Sequence, residues 1–167
     1  MILETSRLIL RRWRPDDAAR VASIYAKPDV MQFIPGGVWN AQRTRELVER
    51  MRDLDKQVGY SFYPIVLKDG GHIIGHCGLG RLENGPEVEV AYVLDSPYWR
   101  RGYATEAAGA MIGYGFARGF SDRFVAVAFP ENARSIAVMQ KIGMTRAGPA
   151  QHFGRNVEKY EIFRSRT

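Results

Sequence analysis

A loop between a predicted strand and a predicted helix has the composition of an anion-binding site. Arg100, Arg101 and Gly102 form its centre. Asp95-Ser96-Pro97 ends the strand before it, and an alanine-rich helix begins near Ala104. The first turn of a helix has unpaired N–H groups and the positive end of the helix dipole, so it binds phosphate well. Glycine lets an anion approach the backbone and arginines add charge-assisted hydrogen bonds, so the loop is predicted to hold an anionic ligand.

Glu89 is the candidate for proton transfer. It has apolar neighbours in the strand that leads into the loop, and we expect its carboxylate on the same sheet face as Ala91 and Val93. Partial burial would raise its pKa above the ordinary value of about 4.3, towards the range of a general base at neutral pH. The alternative is that Glu87 and Glu89 form the solvent-facing side of an antiparallel strand.

The histidines and the single cysteine indicate neither a metal site nor a nucleophile. His72, His76 and His152 are isolated and lack the spacing of metal ligands. Cys77 lies in a short apolar segment and is predicted to be a small buried strand residue. One cysteine cannot form an internal disulfide, which agrees with a reducing compartment.

The composition is typical of one globular domain. The chain has 167 residues, of which 46% are hydrophobic, so we predict a single domain over residues 1–167. No apolar run approaches the roughly 20 residues that span a membrane, and the N-terminus lacks a signal-peptide pattern, so a cytoplasmic location is expected. The net charge of +6 suggests polyanionic partners. Because the arginines are dispersed and no nucleic-acid-binding signature is present, nucleic acid is not expected to be the main ligand.

The periodicity of apolar residues predicts the elements that present these side chains. Strands are expected over residues 7–12, 60–67, 73–80, 87–94, 124–128, 144–148 and 157–163. Helices are expected after Arg14, from Asn40, from Ala104 to Gly119 and from Asn132 to Gly143. Segment 31–37 is apolar but interrupted by turn residues, which predicts a loop. The predicted order is strand, two helices, three strands, helix, strand, helix and two strands.

The anion-binding loop resembles a known motif. Its sequence Trp99-Arg100-Arg101-Gly102-Tyr103-Ala104 is similar to the acyl-CoA pyrophosphate loop of the GNAT superfamily of N-acetyltransferases, written Gln/Arg-x-x-Gly-x-Gly/Ala. Trp99 stands where the general pattern has Gln or Arg. The flanking segments resemble the branch of ribosomal-protein N-terminal acetyltransferases in order and spacing: Glu89-Val90-Ala91-Tyr92, Asn132-Ala133-Arg134-Ser135 and Lys141-Ile142-Gly143-Met144. The resemblance covers nearly the whole chain, from Thr5 to Tyr160.

The resemblance implies a fold and a cosubstrate. The fold would be α/β (α+β), the GNAT fold, with a mixed, mostly antiparallel sheet of about seven strands flanked by about four helices. The cosubstrate would be acetyl-CoA, used without a metal. The residues that the resemblance assigns to coenzyme binding are the main chains of Tyr92, Val93 and Leu94, together with Arg100, Arg101, Gly102, Tyr103, Ala104, Thr105, Asn132 and Ser135. Segment 31–37 would help to wall the acceptor pocket, although Met31 and Phe33 could equally be core residues.

The resemblance also implies catalytic roles. Glu89 would act as the base on the attacking amine, through water, and the hydroxyl of Ser135 would hydrogen-bond the departing sulfur. The wider superfamily uses a tyrosine as acid four residues before the glycine that ends the last helix, but Met139 stands there. The alternative for Ser135 is local capping of its helix, and Asn132 is expected to cap the helix and bind the coenzyme together.

The predicted function is transfer of an acetyl group from acetyl-CoA to a primary amine by direct attack, with a protein or peptide N-terminal α-amine as the favoured acceptor. One alternative is a small-molecule amine such as an amino acid, a polyamine or an antibiotic. Another is a non-catalytic CoA-binding or RNA-associated module. A P-loop nucleotidase is disfavoured, because the segment after Gly102 lacks the lysine and second glycine of a P-loop. A homodimer is compatible with the sequence.

Overall fold

One continuous sheet organises the molecule. The computed structural model describes residues 1–165, and within that range the sheet has eight strands. They are β1 (Leu3–Glu4), β2 (Leu8–Leu10), β3 (Phe62–Leu67), β4 (Ile73–Arg81), β5 (Val88–Leu94), β6 (Arg123–Ala128), β7 (Thr145–His152) and β8 (Arg155–Phe163). Their spatial order is β1-β2-β3-β4-β5-β6-β8-β7. Neighbouring strands are antiparallel except β5 and β6, which are parallel.

Helices cover both faces of the sheet. They are α1 (Asp17–Tyr25), α2 (Pro28–Met31), α3 (Ala41–Val58), α4 (Tyr103–Ala117) and α5 (Ala133–Lys141). Buried side chains of α4 pack against strand residues such as Leu79 and Val90 on one face. Those of α1, α2 and α3 form a second core on the other face, which Val93 joins. Alternate residues of β5 therefore serve opposite faces, as the period of two predicts.

Short polar signals set two of the helix boundaries. The side chain of Asn40 accepts a hydrogen bond from the N–H of Arg43 at 2.8 Å and caps α3, which ends at Gly59 with a left-handed φ of 82°. Asn132 caps α5 in the same way, because its side chain accepts from the N–H of Ser135 at 3.2 Å. Both helices begin where the sequence predicted them.

The predicted fold class is confirmed, with small differences in the elements. The sheet has eight strands rather than about seven, because Leu3 and Glu4 pair with the following strand. The helices number five rather than about four in residues 1–165, because Pro28 occupies the first turn of the short helix α2, where its fixed φ is favourable. The last two strands are longer than predicted, so His152 ends β7 instead of lying in a loop. The sequence of β7 lacks a clear apolar alternation because this strand is largely exposed.

The sheet opens beside the predicted anion-binding loop. Within the described chain, the register between β5 and β6 contains a single pair, Glu89 with Val125, although β5 continues to Leu94. Asp95 donates its N–H to the carbonyl of Ile74 in β4 at 2.8 Å. Because main-chain groups alternate sides along an antiparallel strand, those of Tyr92 and Leu94 point away from β4 and into the opening.

Candidate active site

The predicted anion-binding loop ends in an open helix N-terminus. Gly102 precedes α4 with a left-handed φ of 80°, and Arg100 has a φ of 59°. The first paired N–H group of α4 is that of Glu106, which donates to the carbonyl of Gly102 at 2.9 Å. Gly102 has no side chain to cap the turn, so the N–H groups before Glu106 remain available to an anion. The local geometry is the one that the sequence predicted.

Arg7 and Glu106 anchor this loop and the start of α4 to the N-terminal segment of the chain. Arg7 donates through Nη1 to the carbonyl of Arg101 at 2.9 Å and forms a 2.7 Å ion pair with Glu106. Glu106 also accepts from Thr5 Oγ1 at 2.6 Å. Burial opposes ionisation of Glu106, but the hydrogen bonds from Thr5, Arg7 and Ser6 outweigh it and lower the pKa of this carboxyl to about 2. The sequence analysis did not predict these contacts, because no local sequence pattern links residues about 100 positions apart.

A cleft of about 310 Å³ runs along the open side of β5 to the helix N-terminus. Its lining includes ten of the predicted coenzyme residues: Tyr92, Val93, Leu94, Arg100, Gly102, Tyr103, Ala104, Thr105, Asn132 and Ser135. Arg101 lies outside the lining, and its carbonyl is bound by Arg7. The main chain of Val93 is directed towards β4 by the alternation along the strand, so Val93 contributes its side chain rather than the predicted main-chain groups.

Trp99 connects the loop to the strand. Its indole Nε1 donates to the carbonyl of Leu94 at 2.8 Å, so this carbonyl already has one partner. The guanidinium of Arg134 lies 3.7 Å from the centre of the Trp99 ring, which is a cation–π distance. Trp99, which departs from the general motif, thus contacts both Leu94 and Arg134 of the cleft lining. The sequence analysis did not predict these contacts.

A second pocket of about 170 Å³ adjoins the cleft and contains Glu89. The two cavities share five lining residues: Phe33, Ile34, Tyr92, Asn132 and Ser135. Phe33 therefore lines both cavities, whereas Met31 is a core residue with 1% exposure. Within segment 31–37, one residue thus lines the cavities and another belongs to the core.

The two glutamates of β5 have different environments. Glu87 is ion-paired with Arg123 at 2.9 Å and with Lys159, and these contacts, the Lys159 hydrogen bond first, lower its pKa. Glu89 is partly buried in the second pocket, and burial together with the negative charge of Glu83 raises its pKa to about 7. A carboxylate with this pKa can take a proton at neutral pH, so Glu89 has the properties of a general base.

Tyr92, Ser135 and Asn132 form a polar group where the two cavities meet. The hydroxyl of Tyr92 lies 3.0 Å from both the carbonyl oxygen and Oγ of Ser135. Burial raises the pKa of Tyr92 above its ordinary value, so this hydroxyl stays protonated and can donate. The N–H of Ser135 is bound to Asn132, which leaves its hydroxyl directed to Tyr92. The sequence analysis predicted that only the main chain of Tyr92 binds the coenzyme. The apolar alternation of β5 did not indicate that the Tyr92 hydroxyl contacts Ser135.

Two buried side chains of β4, His76 and Cys77, line neither cavity. His76 lies 2.6 Å from the hydroxyl of Tyr25 through Nδ1, and burial lowers its pKa to about 4. Cys77 is fully buried, and burial raises the pKa of its thiol, which makes it a poor nucleophile. Among residues 1–165, no helix is long and apolar enough to cross a membrane.

Comparisons with known proteins agree with this architecture. Residues 7–145 match a family model described as an acetyltransferase (GNAT) domain. The uncharacterised N-acetyltransferase YnaD of Bacillus subtilis (strain 168) is 32% identical over 148 residues, which cover 89% of this chain and 85% of YnaD. A GNAT-family acetyltransferase from Bacillus anthracis superposes with a TM-score of 0.82 at 31% identity, covering 96% of both chains. RimL, a ribosomal α-N-protein acetyltransferase crystallised with coenzyme A, has a TM-score of 0.82 at 20% identity and 97% coverage of both chains.

The family model covers residues 7–145, most of the chain. The chain therefore belongs to the GNAT acetyltransferase family, and it is an N-acetyltransferase enzyme.

Proposed function

We propose that this enzyme transfers the acetyl group of acetyl-CoA to a primary amine by direct attack, with Glu89 as the base. The observation that carries the proposal is that the pocket of Glu89 meets the cleft of the uncapped helix at Tyr92 and Ser135. One cavity offers anion-binding groups and the other offers a carboxylate of raised pKa. A donor and an acceptor can therefore meet at the shared wall.

Two features of the cleft and one comparison support acetyl-CoA as the cosubstrate. The N–H groups at the start of α4 and the side chain of Arg100 suit a pyrophosphate. The main-chain groups of Tyr92 and Leu94 on the open side of β5 suit an amide-bearing arm, with the Leu94 carbonyl shared with Trp99. RimL, which shares the fold, was crystallised with coenzyme A. Bound there, acetyl-CoA would supply an activated thioester.

The side chains of this protein then have separate roles. The amine nitrogen bonds to the carbonyl carbon of the thioester, the carbon–sulfur bond breaks, and Glu89 accepts the amine proton directly or through water. Ser135 stabilises the sulfur that departs as a thiolate, and Tyr92 orients the Ser135 hydroxyl. A thiolate is a stable leaving group, so a hydroxyl that donates a hydrogen bond is sufficient. The tyrosine acid that the wider superfamily has at the position of Met139 is then not needed.

A peptide or protein N-terminus is the acceptor class that we favour. A free α-amino group has a pKa near about 7.7–8.0 and a lysine side chain near about 10.4, so at pH 7 the neutral fraction of the α-amine is a few hundredfold larger. The described lining of the second pocket contains no Lys or Arg that would bind the carboxylate of a free amino acid. An amine whose carboxyl end is an amide suits this pocket better.

The acceptor class can be tested by competition. Thiol release from acetyl-CoA and mass spectrometry should be followed with four acceptors: peptides with a free small N-terminal residue, matched peptides whose only amine is lysine, free amino acids, and a polyamine. We expect kcat/KM for the free N-terminus to exceed that for lysine by at least about tenfold, because more of the α-amine is neutral.

Other outcomes separate the alternatives. Acetylation confined to lysine, a polyamine or an antibiotic would exclude the N-terminal acceptor but keep the acetyltransferase chemistry. Binding of acetyl-CoA without turnover on any amine would instead favour a non-catalytic module. A single domain over residues 1–167, a homodimer and a cytoplasmic location stay predictions.

The role of Ser135 gives a second prediction. Ser135→Ala removes the proposed donor to the sulfur but leaves the N–H group that Asn132 binds. We expect kcat to fall, by less than the roughly 10²–10³ that follows loss of an oxyanion-hole donor, because a thiolate needs less stabilisation. Coenzyme affinity should change little. Ser121→Ala is the control, since Ser121 bonds only locally with Arg123; an equal loss in both variants would contradict a catalytic role of Ser135.

A further inference from the structure

The tip of the β7–β8 hairpin is fastened to the connection between β4 and β5. Glu83 lies 2.7 Å through Oε2 from Nδ1 of His152 and accepts the N–H of Phe153 through Oε1 at 2.6 Å. Because a carboxylate only accepts, His152 carries its proton on Nδ1 here. One carboxylate thus binds two successive residues of the tip. We refer to Glu83, His152 and Phe153 as the clasp.

Backbone strain is concentrated at the clasp. In residues 1–165, the non-glycine residues with positive φ are Glu83 (48°), Asn84 (59°), Arg100 (59°) and Phe153 (55°). Three of these four belong to the clasp or adjoin it. Left-handed backbone at residues with side chains costs free energy and persists where the surrounding structure holds it, commonly at functional sites. At Phe153 the positive φ belongs to the two-residue turn that it forms with Gly154 between β7 and β8, and the hydrogen bond from its N–H to Glu83 holds that turn.

The clasp faces the proposed acceptor pocket. Phe153 lines the second pocket together with Glu89 and with Phe33 and Pro35 of the loop after α2. The Phe153 side chain is 37% exposed, so core packing alone does not hold it. Other contacts secure the hairpin itself, such as the 2.5 Å ion pair of Arg146 with Glu158. The clasp is therefore not needed to form the hairpin, but it fixes the backbone of Phe153, from which the ring projects.

We propose that Glu83 is a positioning residue that holds Phe153 as a wall of the acceptor pocket and so limits the size of the acceptor's first side chain. This proposal rests on the proposed function, because it assumes that the amine acceptor enters the pocket of Glu89. Glu89 lies near the start of β5, a few residues after Glu83, so one short segment of the chain carries the proposed base and also binds Phe153.

The test compares acceptor peptides that differ in the size of the first residue. Steady-state kcat and KM should be measured with Gly, Ala, Val and Phe at the N-terminus for the unsubstituted enzyme, Glu83→Ala, Glu83→Gln and Phe153→Ala. The unsubstituted enzyme should favour the small residues. In Glu83→Ala and Phe153→Ala, the ratio of KM for Phe to KM for Ala should fall by about tenfold, the scale on which a hydrophobic pocket discriminates size. Glu83→Gln keeps a hydrogen-bond acceptor, so it should retain more of the selectivity.

Two further measurements distinguish positioning from general stability. Glu158→Gln removes the ion pair of the same hairpin without touching the pocket and should leave the selectivity unchanged. The double variant Glu83→Ala/Phe153→Ala should be no less selective than Phe153→Ala, because Glu83 acts through Phe153. Unchanged size selectivity in an active Glu83→Ala, or additive effects in the double variant, would overturn the proposal. Lack of turnover by the unsubstituted enzyme on every amine would instead overturn the proposed function, and the clasp proposal with it.

Discussion

Replacement of Glu89 by glutamine is expected to lower kcat by roughly 10²–10⁴, the range for loss of a positioned acid or base. Glutamine keeps the size and polarity of the side chain but cannot accept a proton at neutral pH. The coenzyme cleft lies on the other side of Tyr92 and Ser135, so the Kd of acetyl-CoA should change little. Thiol-release kinetics and calorimetry measure the two effects separately.

The pH profile gives a sharper form of this prediction. The base must be deprotonated to act, and the pKa of Glu89 is raised to about 7 by burial and by the charge of Glu83. Activity of the unsubstituted enzyme should therefore rise as the pH increases through about 7. Glu89→Gln should lack this step, and its residual activity should rise only through deprotonation of the acceptor's α-amine, near about 7.7–8.0.

The same substitution should stabilise the protein at high pH. Because the pKa of Glu89 is higher in the folded protein than in the unfolded chain, the folded state binds a proton more tightly, and the free energy of unfolding falls as the pH rises from about 4.3 to about 7. Glutamine does not ionise. Above pH 7, Glu89→Gln should thus be more stable than the unsubstituted enzyme by on the order of 3–4 kcal/mol, and below pH 4 the two should converge.

Glu87→Gln is the matched control for the base. Glu87 lies two residues before Glu89 and is bound by Arg123 and Lys159. Its replacement should cost some stability through those ion pairs, while the pH-dependent step in activity remains. If Glu89→Gln retained full turnover with the pH profile of the unsubstituted enzyme, Glu89 would be a structural residue and the base would have to be sought elsewhere.

Local signals were sufficient for the elements that present the site. Asn40 and Gly59 bound α3 because capping depends on a few neighbouring residues. The loop before α4 was predicted for the same reason, since Gly102 and the turn that follows form an anion-binding geometry from one short segment. The alternation along β5 correctly placed Val90 and Val93 on opposite faces.

The contacts that finish the site depend on distant partners and left no local signal. Arg7 and Glu106 are separated by 99 positions, and Glu83 and Phe153 by 70. The direction of the main chain at Val93 could not be predicted either. It depends on which residues of β5 pair with β4, and a shift by one residue would exchange the two sides of the strand.

The second large effect is expected at Gly102. Gly102→Val should raise the Kd of acetyl-CoA by at least about 100-fold, because the branched side chain would stand where the backbone N–H groups meet the pyrophosphate, and two lost charge-assisted hydrogen bonds alone account for that factor. The first added carbon would lie 3.3 Å from Nη2 of Arg7, so the guanidinium would have to shift by a few tenths of an ångström while the backbone of α4 is not contacted. Calorimetric titration measures the affinity.

Strain at Gly102 requires a control of its own. A valine at a φ of 80° costs on the order of 1–3 kcal/mol in any context, and that cost could weaken binding by destabilising the fold. Gly71 has a φ of 66°, lies in the turn between β3 and β4, and has open space around the position of an added carbon. Gly71→Val should therefore lower the melting temperature about as much as Gly102→Val while coenzyme binding persists. Equal loss of binding in both variants would assign the effect to strain, and undiminished binding by a folded Gly102→Val protein would show that the start of α4 does not hold the pyrophosphate.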